Sequence, residues 1–419
     1  MIASFSRRSA YETRHLSPLA TCFLCLLLLG AAACAGGGSR SGAGTVERLA
    51  VGDTTVVRNT LPAVLPPPLH ILEEDLVIGV EEGPEEYILL NPQAIDVDEE
   101  GAIYVSDQRA GEVRIYGSDG THRVTFGRRG EGPGEFHSNM WGLFDVHPVA
   151  GGRLTVEDMP QLRVFNRDGT YRTSFDLNHT ISSDERFRVS SYGVRWFPER
   201  EQLVASWIWR VQTGEYIMKS RYALVVLDED LEIVAETPAC EPPPGFHSGD
   251  QMGFSLPFAA DYCHTVTADG RLVWGVSTAY RIDTWDMESE EWLRIEADIA
   301  PAPVTAAEID SFKTQFLERY GQGQEGVWRP LLNQAEYPSR KPVYADFLAD
   351  DEGRLWVQRY APVTAPDGAE RIRYDIFGQN GEWQGIVDSP ATLACISGGA
   401  VFWLDYSDYP VIRRARLLR

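Results

Sequence analysis

Basic residues are scarce in this 419-residue chain, which carries 38 Lys and Arg against 61 Asp and Glu, a formal net charge of −23 at pH 7. Proteins that bind nucleic acid or anionic lipid surfaces through charge are usually basic. The balance therefore argues against nucleic acid or an anionic membrane as an electrostatic partner. It fits a solvated acidic surface that keeps the protein soluble, with an acidic site for cationic ligands as the other interpretation.

Long apolar runs are absent beyond the N-terminal region. The run from Leu19 to Leu29 is shorter than the roughly 20 residues that a membrane-spanning helix needs. Arg7, Arg8 and Arg14 precede it, and small residues follow it, which is the layout of a secretory signal peptide over residues 1–33. We expect the rest of the chain to be exported.

Small residues stand directly before Cys34, in Gly30-Ala-Ala-Ala-Cys34. They resemble the lipobox of bacterial lipoproteins, in which the cysteine receives a diacylglycerol and becomes the mature N-terminus. The resemblance implies lipid attachment at Cys34 and a place in the cell envelope, at the outer membrane and facing the periplasm or the exterior. Ordinary signal cleavage among the alanines remains the alternative. Loss of residues 1–33 leaves 35 basic and 60 acidic residues, a net charge of −25.

Cysteines are few after Cys34, at positions 240, 263 and 395. In an oxidising compartment Cys240 and Cys263 could form a disulfide across a loop rich in Pro and Gly. The alternative is a metal site built from Cys240, His247, Cys263 and His264, although this spacing matches no zinc pattern.

Compact catalytic motifs are also missing, because the sequence has no Gly-x-Ser-x-Gly and no His-Glu-x-x-His. This weakens the case for an enzyme without excluding one. Sites that take one ligand from each of several repeats leave no contiguous motif.

A repeat is present instead. Residues 113–126 (VRIYGSDGTHRVTF) return 49 residues later as 162–175 (LRVFNRDGTYRTSF). Each copy is a pair of alternating apolar stretches around an Asp-Gly turn, which predicts a hairpin, and the period is the size of a propeller blade. Further turn signals predict an all-β, six-bladed β-propeller over residues 69–419, with blades at about 91–136, 137–187, 188–244, 257–304, 341–390 and 391–419.

The last blade is short by one strand, and residues 71–80 read as the missing one, so that an N-terminal strand closes the ring. Residues 34–68 read as the lipidated cysteine and a flexible tether, with one strand-like piece from Asp53 to Asn59. A helical insertion at about 305–340 interrupts the chain between blades four and five. Its helix begins at the capping box Thr305-Ala-Ala-Glu308 and ends before Gly321, and we expect it over one mouth of the channel, as a lid or as decoration.

The first blade closes with Phe126-Gly-Arg-Arg-Gly-Glu-Gly-Pro-Gly-Glu-Phe136, and the whole of 91–136 resembles an NHL repeat. With the lipobox, the chain resembles bacterial lipoproteins that carry six-bladed NHL-like propellers. Such propellers bind proteins, peptides or carbohydrates, while some relatives are metal-dependent lactonases or lyases. The resemblance is clear to about residue 178 and degenerate afterward.

Residues at the starts of the inner strands should surround the channel mouth. These candidate binding residues are Asn91, His137, Asn139, Trp141, Tyr192, Asp261, Tyr262, Arg340 and Tyr344. A calcium site would draw oxygen ligands from Asn91, Asn139 and Asp261, although polar residues at strand starts also form turns.

The sequence therefore predicts a monomeric, lipid-anchored binding or scaffold module for an envelope protein, peptide or glycan, without catalysis, metal or other cofactor. The alternative is a calcium-type lactonase, hydrolase or lyase at the same mouth.

Overall fold

The computed structural model describes residues 44–69, 71–137, 144–158, 160–177, 192–212, 218–248, 253–365 and 367–418. Within these ranges six antiparallel sheets of four main strands form a ring, as the sequence predicts. The chain begins with strands β1 (Thr45–Val51), β2 (Thr54–Thr60) and β3 (Ile71–Ile78), and a 3₁₀ turn spans Glu85–Tyr87.

The first three blades follow in order along the chain. Their strands are β4 (Pro92–Val97), β5 (Ile103–Asp107), β6 (Glu112–Tyr116) and β7 (His122–Phe126); β8 (Phe144–Val149), β9 (Arg153–Asp158), β10 (Gln161–Asn166) and β11 (Tyr171–Asp176); and β12 (Tyr192–Phe197), β13 (Gln202–Gln212), β14 (Met218–Leu227) and β15 (Ile233–Glu236). A short hairpin, β16 (Phe246–Ser248) and β17 (Gly253–Ser255), precedes the fourth blade.

The last three blades contain the remaining strands. These are β18 (Tyr262–Val266), β19 (Arg271–Val276), β20 (Arg281–Asp286) and β21 (Trp292–Ala297); β22 (Tyr344–Ala349), β23 (Leu355–Arg359), β24 (Val363–Thr364), β25 (Glu370–Phe377) and β26 (Trp383–Ser389); and β27 (Cys395–Ser397), β28 (Ala400–Asp405) and β29 (Val411–Leu418).

The ring closes as predicted. Strand β29 pairs antiparallel with β3, so the sixth blade takes its outer strand from the N-terminal end of the propeller. This pairing leaves no open edge between the first and last parts of the ring.

The core lies between neighbouring blades and consists of alternating apolar residues of adjacent sheets. Phe136, from the Gly-rich element, is buried between blades one and two and packs on Phe165, with ring centroids 5.7 Å apart. Gly127 makes this contact feasible, because a Cβ there would come within 2.1 Å of the Phe136 ring. The Gly-rich element therefore serves packing, as its composition suggests.

The insertion between blades four and five contains two helices, α1 (Ala306–Tyr320) and α2 (Glu325–Gln334), of which the second was not predicted. The capping box is confirmed: Glu308 N donates to Thr305 Oγ1 and the Glu308 carboxylate accepts from Thr305 N. Both helices pack on the β16–β17 hairpin through an aromatic cluster that includes Phe254 and Trp328.

The predicted tether differs from the structure over residues 45–60. Strands β1 and β2 form a hairpin, and β2 pairs in parallel with β21, so blade four has six strands. Asn59 fixes the hairpin to blade five: its Nδ2 donates to Gly381 O (3.0 Å) and its Oδ1 accepts from Trp383 N (2.8 Å). Buried apolar residues on β2, Val56 and Val57, give the physical reason for this docking.

Candidate functional site: the charged channel

The mouth face is the side of the ring on which the first strand of each blade begins. These first strands, β4, β8, β12, β18, β22 and β27, lie next to one another around the central channel. The last strand of each blade ends on this face, where the first strand of the next blade begins. The β16–β17 hairpin and the helical insertion both belong to connections between blades, so both lie on this face.

A charged network joins three blades inside the channel. His147 of β8 lies between two carboxylates, with Nδ1 3.0 Å from Asp96 Oδ2 and Nε2 3.1 Å from Asp145 Oδ2. Arg195 of β12 reaches the same Asp96 carboxylate at 3.3 Å. The side chains of Asp96, Asp145 and Arg195 remain 23%, 36% and 34% exposed, so water reaches this network through the channel.

Protonation of this network follows from its geometry. Burial and the nearby Arg195 oppose the charged form of His147, but the two carboxylates outweigh them and raise the His147 pKa. Burial likewise opposes ionisation of Asp145, yet the charge and hydrogen bond of His147 lower its pKa to about 2. The two carboxylates therefore favour the imidazolium form of His147.

Glu157 lies next to this network, opposite Asp145 in the register of β8 and β9. Its side chain is fully buried, Oε2 accepts from Val194 N at 3.0 Å, and Oε1 has no hydrogen-bond partner among the described residues. Burial and the charge of Asp145 raise the Glu157 pKa to about 7. This carboxyl therefore changes protonation near neutral pH.

The wall contributed by blades four and five is acidic. Asp261 and Asp346 are exposed at the mouth, and each accepts a hydrogen bond from the backbone N–H of its following residue at 2.8 Å. The surrounding protein and the charge of Asp261 raise the Asp346 pKa to about 6, although solvent reaches the carboxylate through the lumen. Burial and Arg195 lower the pKa of nearby His264 to about 4, so His264 is neutral at pH 7. This side of the channel therefore lacks a cation to balance its carboxylates among the described inner-strand residues.

Two of the predicted mouth residues are held by a carboxylate at the end of their blade's second strand. Asn91 N donates to Asp107 Oδ1 (3.0 Å), and its side chain donates to Gln108 (3.2 Å). His137 has the corresponding position in blade two, where its backbone N and its Nδ1 both contact Asp158 (3.0 and 2.8 Å). Both residues shape the loops that lead into the inner strands.

The other predicted residues divide into four groups. Asp261 is exposed at the mouth as expected, whereas Asn139, Trp141 and the side chain of Tyr192 lie outside the described residues. Arg340 is at the base of the insertion, where its guanidinium donates to Pro301 O at 3.4 Å. Tyr262 and Tyr344 are buried and add no surface to the mouth.

Those two tyrosines pack between blades. Tyr262 stacks between Tyr222 and His264, with centroid distances of 5.0 and 5.5 Å. The Tyr344 hydroxyl donates to Arg281 O at 3.1 Å, and its ring lies edge-on to Tyr280. These two residues at strand starts therefore pack in the core between blades and do not line the mouth.

Sequence reasoning missed the charged residues within the inner strands, Asp96, Asp145, His147, Arg195 and Asp346, and considered His264 only as a metal ligand. A weak signal was present, since polar residues alternate with apolar ones in Ile95-Asp96-Val97 and Asp145-Val146-His147. On the first strand of a blade, one face packs on the neighbours and the other lines the channel.

The predicted disulfide is not formed, because Cys240 and Cys263 are both free cysteines. Cys263 Sγ instead donates to Ala345 O at 3.2 Å, and burial raises the pKa of both thiols, that of Cys240 to about 11. Over the described ranges, no group of three or more His, Cys, Asp and Glu is arranged to hold a metal ion, and this includes the Cys240, His247, Cys263 and His264 set. Within the same ranges, no helix is long and apolar enough to cross a membrane.

Similarity to known proteins is limited to distant solved structures. No known protein family and no curated protein matches the sequence. Among solved structures, the chain is similar to a member of the DUF4221 family from Bacteroides vulgatus (11% identity, 83% of this chain and 98% of that one, TM-score 0.49). It is also similar to a putative exported protein from Bacteroides fragilis (10% identity, 87% and 100%, TM-score 0.46) and to virginiamycin B lyase from Staphylococcus aureus (10% identity, 83% and 100%, TM-score 0.40).

Proposed function

We propose that this chain is a lipid-anchored, extracytoplasmic propeller of NHL type that binds a cationic segment of a peptide or protein at its channel mouth, without catalysis. The anchor would be Cys34, and the protein would act as a monomer in the cell envelope. The charge of the water-accessible channel wall is the observation that carries this proposal.

Among the described residues of the inner strands, acidic groups outnumber basic ones on that wall. Asp96, Asp145, Asp261 and Asp346 are accessible, whereas the cations are Arg195 and the buried His147, both already paired with carboxylates. A narrow lumen with low-dielectric walls focuses such a field and raises the local concentration of cations. A Lys or Arg side chain entering the mouth would find unpaired carboxylates at Asp261 and Asp346.

Calorimetric titration of the mature protein with tetralysine and tetraglutamate peptides tests this proposal. We expect tetralysine to bind at least tenfold more tightly than tetraglutamate, with weaker binding at high salt. The Asp261→Asn/Asp346→Asn double variant should lose most of this affinity, since each Asn keeps an acceptor for the following N–H while the charge is removed.

A matched control uses two exposed acids in turns on the opposite face, Glu99→Gln and Glu229→Gln. This pair removes the same charge from the molecule but leaves the mouth intact, so it should bind tetralysine like the wild type. Equal losses in the two double variants, or no binding of either peptide, would overturn the proposed ligand class.

A calcium-dependent hydrolase or lyase is the second candidate, because Asp261 and Asp346 offer the carboxylate oxygens that Ca²⁺ prefers. Metal analysis and thermal unfolding with and without calcium distinguish the two functions. Stoichiometric calcium, together with a rise in melting temperature that Asp261→Asn/Asp346→Asn abolishes, would favour the enzyme. We expect neither.

A further inference from the structure

We propose that the mouth face lies against the membrane, and that the tip of the helical insertion contacts the lipid surface. The tip comprises residues 320–327, between the end of α1 and the start of α2. This inference rests on the lipid anchor at Cys34 proposed above. It adds an orientation of the protein and a second point of contact with the bilayer.

The first step is the point at which the tether meets the folded body. Gly44 lies beside Thr60, because a Cβ on Gly44 would come within 2.5 Å of Thr60 O. The neighbouring Leu61 N donates to Asp298 Oδ1 at 2.8 Å. Asp298 directly follows β21, where the chain leaves blade four for the insertion. The tether therefore enters the body on the mouth face, beside the base of the insertion.

The second step is the length of the tether. Because β1 and β2 are docked on blade four, only residues 35–43 separate the lipid-bearing Cys34 from Gly44. Fully extended, this span reaches at most about 35 Å. A helix of 15 residues such as α1 is itself about 22 Å long. The insertion is thus within reach of the bilayer that holds the anchor.

The third step is the surface of the tip. Tyr320 is 52% exposed and Val327 is 55% exposed, although both are large apolar residues. Aromatic contacts hold the tip in place. The ring centroids of Tyr320 and Phe316 lie 4.9 Å apart, and those of Phe316 and Trp328 lie 5.0 Å apart. Tyrosine with an apolar body and a polar end is suited to a lipid–water interface. The six residues between them contain one charge, that of Glu325.

The fourth step is charge. Residues 306–341 contain five acidic and five basic residues and are neutral, whereas the whole chain has a net charge of −23. An acidic surface is repelled by anionic headgroups, and a neutral one is not. The insertion can therefore approach lipid without the electrostatic cost that the acidic surface of the chain as a whole would carry. The short tether favours a bilayer over a second copy of the chain as the occupant of the tip.

Photocrosslinking of the full-length lipidated protein in phosphatidylcholine vesicles with alkyne-tailed lipid tests this contact. A benzophenone amino acid replaces Val327 at the tip or, as a matched control, Val51, which is equally exposed (58%) at the far end of the β1–β2 hairpin from Gly44. We expect at least fivefold more lipid crosslinking from position 327 than from position 51.

Mass analysis and vesicle flotation before illumination test the lipid anchor separately from the contact between the tip and the bilayer. A wild-type protein without an acyl chain, floating no better than Cys34→Ala, would overturn the anchor and this inference with it. An acylated, floating protein that crosslinks lipid equally from both positions would overturn the contact alone. Crosslinking from position 327 to a second copy of the chain would also overturn it.

Discussion

Arg414 and Asp75 join the two ends of the propeller through a bidentate ion pair, with Nε 2.9 Å from Oδ1 and Nη2 3.0 Å from Oδ2. Arg414 belongs to the C-terminal strand β29, and Asp75 belongs to β3, at the N-terminal end of the ring. The backbone pairing of these strands closes the ring, and the ion pair adds a side-chain contact across the same seam.

Asp75→Asn should lower the free energy of unfolding by up to about 1 kcal/mol at pH 7, since the pair is near the surface. Hydrogen bonds from Arg414 and Arg416 lower the Asp75 pKa. They outweigh the burial of the carboxylate, which by itself would raise this pKa. The stabilisation is therefore present above the ordinary pKa of 3.8 and is lost as the pH falls through the lowered value. Urea unfolding at pH 7 and pH 3 measures the full stabilisation and its decrease below pH 3.8. Glu73→Gln, at an exposed position on the same strand, should have little effect at either pH.

Asn59→Ala should cost about 2 kcal/mol, because it removes three hydrogen bonds to backbone groups of Glu296, Gly381 and Trp383 that are buried or partly buried. The N-terminal hairpin should then be cleaved by protease before the rest of the domain unfolds. Denaturant unfolding and mass analysis of limited digests measure the two effects. Arg58→Ala, which changes an exposed neighbour on the same strand, should cost under about 1 kcal/mol. Equal costs would contradict the role of Asn59.

Asp158→Asn should destabilise the second blade by about 3 kcal/mol, since it leaves the buried guanidinium of Arg163 without a counter-ion. Arg163 Nε now donates to Asp158 Oδ2 at 3.0 Å, and both side chains are at least 95% buried. Asparagine would keep an acceptor for His137 N, so the loss reports the charge and not the loop. Thermal unfolding measures the change, and Asp230→Asn in an exposed turn serves as the control. A cost below 1 kcal/mol would show that Arg163 finds another acceptor.

The sequence predicts the ring well because its signals are local. The 49-residue repeat, the Asp-Gly turns and the short final blade each depend on neighbouring residues, and the pairing of β3 with β29 follows from counting strands. The docking of Thr54–Thr60 on Trp292–Ala297 depends instead on two segments more than 200 residues apart. Residues 45–60 therefore read as a tether with one strand, although Val56 and Val57 are core residues.

The sequence predicts where the channel mouth lies but not which charged residues line the channel. Strand starts indicated the mouth, and Asp261 lies there, but Tyr262 and Tyr344 at neighbouring positions face the interblade core. Among the described residues no blade contributes more than two charged or titratable residues to the lumen, so Asp96, His147 and Arg195 come into contact only after the ring has formed. No contiguous sequence pattern predicts that these three residues contact one another.

Glu157→Gln tests the channel network through its pH dependence. Burial and Asp145 raise the Glu157 pKa from 4.5 to about 7, so the folded protein keeps a proton that the unfolded chain releases near pH 4.5. Ionisation of Glu157 therefore costs stability as the pH rises from 4.5 through 7. Glutamine has the same shape and no charge, and its oxygen can still accept from Val194 N. The variant should match the wild type at pH 4 and exceed its free energy of unfolding by up to about 3 kcal/mol at pH 8.

Unfolding in urea across this range measures the difference, with Glu199→Gln at an exposed turn as the control. A loss of stability that is equal at both ends of the range would instead mean that the Glu157 carboxylate is ionised in the folded protein and compensated by His147.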